Sequence, residues 1–576
     1  MGIGTKHRTP ARLPGLATLV GIEVLLAVGL VGWWFSGARS GIAALGVAVL
    51  AALTLIPIAG RTSLSGRLIR RGGFLVSRAR RRSAGSAPAP FDVPTSGRHH
   101  GHSPTSHAET GVVGVRWTGD MLITVLRVSP ARTAPTFLSP FGSETTDPPL
   151  PLTTLAECID PYDIPLASID IIVQGIRVGG TGPAAAIYER TLGPLPATTH
   201  RDTLVILRLD PRRCPNAIAR RGGGATGALR TATITTQRVA RRLRECGLAA
   251  TPLDAVGIDA VTTRLLQGAR LDATHEDWSH VSAGRVRFRT ASLDPRKLSR
   301  ALERQWGGTP LSTTLTLSLS HGPAGDLEVR ALVRVDELPD AGCVATAWPH
   351  GAEPLDGRQF DALAASLPTT GANRIHRHLP VAAGTEAFAL LDTLRVESGG
   401  CGQLIGADHT GRAVTARLFG TDVPEVALIG TTALATQVVL RIVATGGRVV
   451  LHTSRPDRWQ HLVDAIGDRH VLGFADDRSG RDIDARVQLF DGVAPCAVAN
   501  GVTRILVVPQ DQEVDDVRTG AIVFRQHRTR AHQLTLETSG DRVGVTMVST
   551  PEESGFIGQR SRQPSAYPAP QTVATT

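Results

Sequence analysis

Lysine is almost missing from this 576-residue chain. Of its 62 Lys and Arg residues, only Lys6 and Lys297 are lysine. The net charge of +11 and pI near 10.3 are therefore an arginine effect. Part of it reflects the coding bias of a GC-rich genome, because alanine and glycine are in excess too. Aromatic residues are scarce, at 4%. That scarcity removes the interleaved basic and aromatic pattern on which bases stack, so nucleic acid is not the expected partner. Six cysteines (Cys158, Cys214, Cys246, Cys343, Cys401 and Cys496) occur without any CxxC pair. This excludes a zinc ribbon or a dithiol redox motif and leaves buried thiols as the expected state. Signature catalytic motifs are missing as well: no nucleophile elbow, no zinc-hydrolase helix, no kinase set and no Lys-Ser/Thr P-loop. No cofactor or metal site follows from the sequence.

What the chain has in abundance stands at its start. Two apolar runs, 13–35 (LPGLATLVGIEVLLAVGLVGWWF) and 41–59 (GIAALGVAVLAALTLIPIA), flank the loop SGARS. About 20 apolar residues suffice for a helix to cross a bilayer, so the pair reads as a transmembrane helical hairpin. Lys6, Arg8 and Arg12 precede the first run, and the loop carries only Arg39. After the second run come Arg61, Arg67, Arg70, Arg71, Arg78, Arg80, Arg81 and Arg82. By the positive-inside rule both ends are cytoplasmic, at the inner (plasma) membrane. A cleaved signal peptide is the competing reading, but the first run is long for one and a second follows at once. The arginines of 60–82 fit a stop-transfer cluster. They also fit a segment lying on anionic lipid, worth about 1 kcal/mol per cation.

Glu23 sits near the middle of the first run, where an acidic side chain costs about 2.5–3.5 kcal/mol on insertion scales. A contact with another membrane helix would offset that cost. In the second run Ala44, Ala48 and Ala52 recur every four residues, a small-residue stripe that permits close helix approach. Both features are expected to serve packing against membrane partners.

The remaining chain divides by composition. Residues 1–12 form a cytoplasmic N-terminus, 60–82 the basic juxtamembrane segment and 83–110 a Pro/Ser/Gly-rich linker expected to be disordered. Residues 111–285 form a first α/β domain, 286–550 a second α/β region and 551–576 a disordered tail. The linker holds His99, His100, His102 and His107, which lack the fixed geometry a metal site needs. GVVGVRW and MLITVLRV flank Thr118-Gly119-Asp120 and predict a hairpin. Segments 168–177 and 202–210 predict strands. Ala232, Thr236, Val239, Ala240 and Leu243 have helical spacing, with Gly247 as stop and Arg230, Arg238, Arg241, Arg242 and Arg244 on the other face. The preceding ARRGGGATG (219–227) reads as a mobile loop. Further on, 311–320 and 327–335 predict strands, and 402–420 a hairpin around Asp408-His409-Thr410-Gly411. A strand at 426–430, a helix, the strand RVVLHT and another helix follow. This alternation predicts a parallel sheet. Strands near RILVV, AIVFRQ, HQLTLET and RVGVTMV close the region.

Two places invite chemistry. The strand-to-helix junction Ile429-Gly430-Thr431-Thr432 is where α/β folds bind ligands, though it has a single glycine. Asp482-Ile483-Asp484 is similar to the short acidic pair of metal-dependent sugar transferases, but the spacing is common and Asp476, Asp477 and Arg481 nearby read as a polar loop. His452 and His461 have no spaced partner and read as structural.

Several stretches together resemble the EccE family, the E component of the type VII (ESX) secretion membrane complex of actinobacteria, including mycobacteria. They are VGVRWTGDMLITVLRV, PLPLTTLAECIDPYDIPLASIDIIVQGIR, DTLVILRLDP with ARRGGGATGALRTATITTQRVARRL, and GQLIGADHTGRAVTARLFG. The histidine linker and the long C-terminal region depart from that pattern. The resemblance implies a structural, non-enzymatic subunit of a large hetero-oligomer with EccB, EccC and EccD and with membrane lipids. EccC, an ATPase, would supply the energy. It also implies a cytoplasmic domain that is glycosyltransferase-like in fold. The alternative is a membrane-anchored, glycosyltransferase-like enzyme acting on envelope sugars through Asp482 and Asp484.

Overall fold

A computed structural model describes eight positions between 23 and 49, residues 71–75 and 88–95, and residues 111–558 with breaks. The breaks are 140–141, 161–162, 179–181, 300–310, 339–347, 350, 370–371, 476–484, 500 and 512–520. Among the described residues no helix is long and apolar enough to cross a membrane. The runs 13–35 and 41–59 lie almost wholly outside those residues.

The chain forms two compact units. The first comprises Met1–Ser86, Glu276–Ser279 and Asp356–Gln359. Within it residues 71–75 are helical, and Phe74 meets Trp278 edge-on with ring centroids 5.8 Å apart. The Arg71 guanidinium lies 5.9 Å over the same ring. Gly357 (φ +78°) donates its N–H to the Trp278 carbonyl at 2.7 Å. A Cβ at 357 would stand 2.7 Å from the indole, so only glycine lets that backbone lie against the ring.

The second unit contains two sheets. The first, thirteen-stranded, is antiparallel along its main path. Its spatial order is Phe91–Pro94, Val112–Thr118, Met121–Pro130, His200–Leu209, Ser168–Ile176, Ser312–His321, Leu327–Glu337, Val286–Leu293, Val281–Ala283. Alternation along Met121–Pro130 sends Leu122 and Leu126 to one buried face and Ile123 and Val125 to the other. The helix Gly224–Glu245 covers the first face and Ala255–Leu265 the second.

The second sheet has twelve strands. Leu472–Phe474, Val449–Thr453, Val487–Asp491, Thr503–Val508, Glu425–Ile429 and Ile522–Gln526 are parallel, as the strand–helix alternation predicts. Gln533–Glu537, Arg542–Met547, Gln403–Ala407, Ala413–Ala416, Thr136–Ser139 and Gly142–Thr145 extend it antiparallel. The helix Thr432–Ala444 packs on the parallel part and is apolar nearly all round, as burial on every side requires. The Tyr188 hydroxyl, on the helix Pro183–Leu192, accepts the Leu404 N–H at 2.8 Å and ties the two sheets together.

The hairpin about Gly119, the strands at 168 and 202, the arginine-faced helix and the hairpin at 408–411 all form. Three expectations are corrected. Within the supposed linker, Phe91–Pro94 pairs with Val112–Thr118, because Val93 finds a buried slot that a composition count cannot register. The glycine-rich 219–227 is no free loop: Pro215–Arg220 is helical, and the long helix begins at Gly224. Past Pro551 the chain forms the helix Pro551–Phe556, held by the buried pair Glu553–Arg441 (2.9 Å). Strand pairing also crosses residue 285, since Val281–Ala283 and Val286–Leu293 make one hairpin.

Candidate functional site

The strand order of the second sheet creates a crevice. From Glu425–Ile429 the chain moves outward to Val449–Thr453 and Leu472–Phe474, then returns to pass to Ile522–Gln526 on the other side. Ligands of α/β sheets bind at the carboxyl ends of strands where the direction of winding reverses. A groove of about 950 Å³ opens there. In register across four strands lie Ile429, Arg525, Thr535 and Gly544, so they share one face. Gly544 leaves open space where a side chain would stand. Arg412, Arg528, Arg542, His409 and His527 complete the basic lining, and Phe137 supplies an aromatic wall.

The charges are unevenly satisfied. Arg412 donates from Nε to Asp408 (3.1 Å) and from Nη1 to Glu144 (3.1 Å), and lies 4.7 Å over the Phe137 ring. Burial would raise the Asp408 carboxyl, but hydrogen bonds from Thr410 and Arg412 outweigh it and bring it to about 2. Its negative charge is thus spent inside its own turn. Glu537 is shared, at 3.2 Å from Arg542 and 3.9 Å from Arg525. Arg528 has no ion-pair partner among the described residues. His527 Nδ1 accepts the Thr529 N–H at 3.3 Å, which in a neutral ring leaves the proton on Nε2.

The junction Ile429-Gly430-Thr431-Thr432 contributes only in part. Ile429 lines the groove, whereas the Thr431 N–H is already taken by Gln526 Oε1 at 2.8 Å. That interaction spends the first donor of the helix N-terminus. The arginine-faced helix presents Arg238, Arg241, Arg242 and Arg244 outward. There Asp163 meets Arg220 (3.1 Å), Arg221 (3.0 Å) and Arg238 (3.7 Å), and Arg242 meets Glu245 at 3.3 Å. His452 stacks on Phe490 at 4.8 Å, a packing role. Cys214 and Cys401 are buried, Cys158 and Cys246 half-buried, and Cys496 exposed.

Glu23 is helical and exposed, and Arg71 is engaged with Trp278. Ala44, Ala48, Ala52, Arg61, Arg67, Arg70, Arg78, Arg80, Arg81 and Arg82 lie outside the described residues, as do the linker histidines and Asp482 and Asp484. Among the described residues no group of three or more His, Cys, Asp or Glu could hold a metal ion. The groove escaped the sequence reading because its arginines come from separate strands. The one local signal was the alternation in RVGVTM and QLTLE, which puts Arg542, Gly544 and Thr546 on one face and Gln533, Thr535 and Glu537 beside them.

Residues 197–293 match the family model EccE, described as a type VII ESX secretion system translocon. The ESX-1 secretion system protein EccE1 of Mycolicibacterium smegmatis is 28% identical over 350 residues, 59% of this chain and 64% of that protein. EccE1 of Mycobacterium tuberculosis is 30% identical over 189 residues, covering 32% and 38%. The ESX-5 protein EccE5 of Mycobacterium marinum is 29% identical over 234 residues, covering 38% and 55%. The chain thus spans less than two thirds of each of these relatives. The family match falls on the strand His200–Leu209, the arginine-faced helix and the pieces that follow to Leu293.

Proposed function

Because this chain belongs to the EccE family of type VII (ESX) secretion, we propose that it is a structural subunit of an ESX membrane complex and supports protein export across the plasma membrane. The observation that carries this reading is the family match over 197–293, which takes in the strand His200–Leu209, the helix Gly224–Glu245 and the strands that follow to Leu293. The apolar runs 13–35 and 41–59 support an anchor of two spans, with the N-terminus and the large C-terminal region cytoplasmic. In this reading Glu23 and the Ala44/Ala48/Ala52 stripe face neighbouring membrane helices. The arginines of 60–82 meet anionic headgroups, and EccB, EccC and EccD are the partners. The protein holds an assembly together and catalyses nothing itself.

The test is purification of the tagged full chain in several mild detergents, with identification of what co-migrates. Recovery with other membrane components of the secretion apparatus, and loss of export on deletion, are expected. A lone monomer in every detergent would overturn the proposal. The substitutions Asp482→Ala and Asp484→Ala together are expected to leave export intact; loss of nucleotide-sugar binding in that variant would instead favour a transferase.

A further inference from the structure

We propose that the groove at the carboxyl ends of Glu425–Ile429 and Ile522–Gln526 binds a phosphorylated small molecule, its phosphate held by Arg525 and Arg528 and its organic body lying over Thr535 and Gly544. Four observations converge. The first is position: the groove lies at the carboxyl ends of strands where the parallel sheet reverses its winding. Size is the second. About 950 Å³ is far more than an inorganic anion needs and lies in the range of small-molecule sites.

The third is charge. Among the described residues Arg525 has a single carboxylate, at 3.9 Å, and Arg528 has none. Guanidinium groups with unspent donors match phosphate oxygens in a bidentate fashion. Arg542 and His527 stand by at the same rim. Among the described residues the acid lining the groove, Asp408, is engaged by Thr410 and Arg412.

The fourth is the floor. In the row Ile429–Arg525–Thr535–Gly544 the last position has no side chain and nothing within 4 Å of where a Cβ would be. Its backbone is not in the left-handed region, so glycine is not required there by conformation. Strands also disfavour glycine. An open, smooth patch beside arginines is what a flat organic ring would use, with Phe137 and Ile429 as apolar flanks. The ligand is bound without any bond being made or broken. The same chemistry could be offered by a free nucleotide or by a phospholipid headgroup, which the probes separate.

The full chain in mild detergent is titrated with ADP, UDP, pyrophosphate, myo-inositol 1-phosphate and uncharged adenosine, following heat release and melting temperature. At least one organic phosphate is expected to bind with a Kd below about 1 mM, at least about tenfold tighter than adenosine. Preference for ADP or UDP assigns a nucleotide, and preference for the inositol phosphate assigns a headgroup. Gly544→Val fills the floor with a good strand former, and Arg525→Ala with Arg528→Ala removes the anchor. Each is expected to weaken binding at least about tenfold while circular dichroism stays that of the parent. Absence of saturable binding by all four phosphates at about 5 mM would overturn the proposal. So would binding that both variants leave unchanged. Should Gly544→Val fail to fold, the paired arginine variant and Arg525→Lys, expected to retain part of the affinity, decide alone.

Discussion

At the scale of single residues, the arginines of the second unit divide into two populations. Some lie at the surface, while others, Arg208 and Arg334 among them, are buried with an acceptor at each nitrogen. Arg208 pairs with Asp170 at 2.5 Å and also donates to the carbonyls of Thr369 and Leu367. Asp170 accepts from Ser318 in addition. Arg334 and Asp336, both fully buried, meet at 2.9 Å, with Ser312, Gln267, Ser366 and the Leu265 carbonyl completing the shell. Removing one member of a buried pair strands the other, at about 3–5 kcal/mol, far above the 0–1 kcal/mol typical of an exposed pair. Asp170→Ala is therefore expected to lower unfolding free energy in urea by about that amount. Exposed Asp272→Ala, which faces Arg270, is expected to change it by under about 1 kcal/mol.

A second residue-scale prediction concerns pH. Burial pushes the Asp147 carboxyl up to about 6, against the pull of Arg417 and of a hydrogen bond from Thr145. The folded state thus binds this proton more tightly than the unfolded chain, whose Asp titrates near about 3.9. The favourable contribution is complete below the unfolded value and is lost as pH rises through about 6. Asp147→Asn is accordingly expected to melt higher than the parent at about pH 7.5, with the gap narrowing toward about pH 4.5. A melting difference independent of pH would contradict it.

Elements show where local preference yields to packing. The helix Gly224–Glu245 starts on glycines, poor helix formers, yet it starts there. Its cause is contact: a Cβ at Gly227 would lie 2.4 Å from the Ile218 carbonyl oxygen, so glycine lets this helix press against Pro215–Arg220. Further along, Thr231, Thr235 and Thr236 return their hydroxyls to carbonyls one turn back at 2.7, 2.9 and 2.8 Å. Those bonds make polar residues admissible on a buried face. Gly227→Ala would gain about 1 kcal/mol of helix propensity but meet an overpacking cost of about 1–3 kcal/mol. Net destabilisation in a denaturant series is expected. Periodicity located this helix because its apolar positions repeat locally. It missed the first turn because a glycine that serves close approach looks, in sequence, like one that serves a loop.

For the molecule as a whole, strands trade places along the chain. Thr136–Ser139 and Gly142–Thr145 leave the first sheet's sequence neighbourhood and join Ala413–Ala416 in the second. Ser312–His321 inserts between Ser168–Ile176 and Leu327–Glu337 in the first. Residues 111–285 and 286–550, made separately, would each lack interior strands and expose long sheet edges. Neither fragment is expected to give a cooperative melt or dispersed amide resonances, whereas 88–558 is expected to give both. Co-expressed fragments that reassemble would be compatible with this; two independently folded halves would not.

By itself the sequence determined what depends on neighbours along the chain. The apolar runs 13–35 and 41–59, the arginine-for-lysine bias, the hairpin turn at Gly119 and the strand–helix alternation after Pro424 are all local patterns, readable from spacing alone. Which strands pair, which arginines are buried with partners 32 to 161 residues away, and which meet at the groove were decided only by tertiary structure. Register between distant strands depends on how whole faces fit together, and no short stretch carries that information. Arg208 and Arg528 look alike in the sequence; the fold buries one among acceptors and leaves the other at the groove with donors to spare.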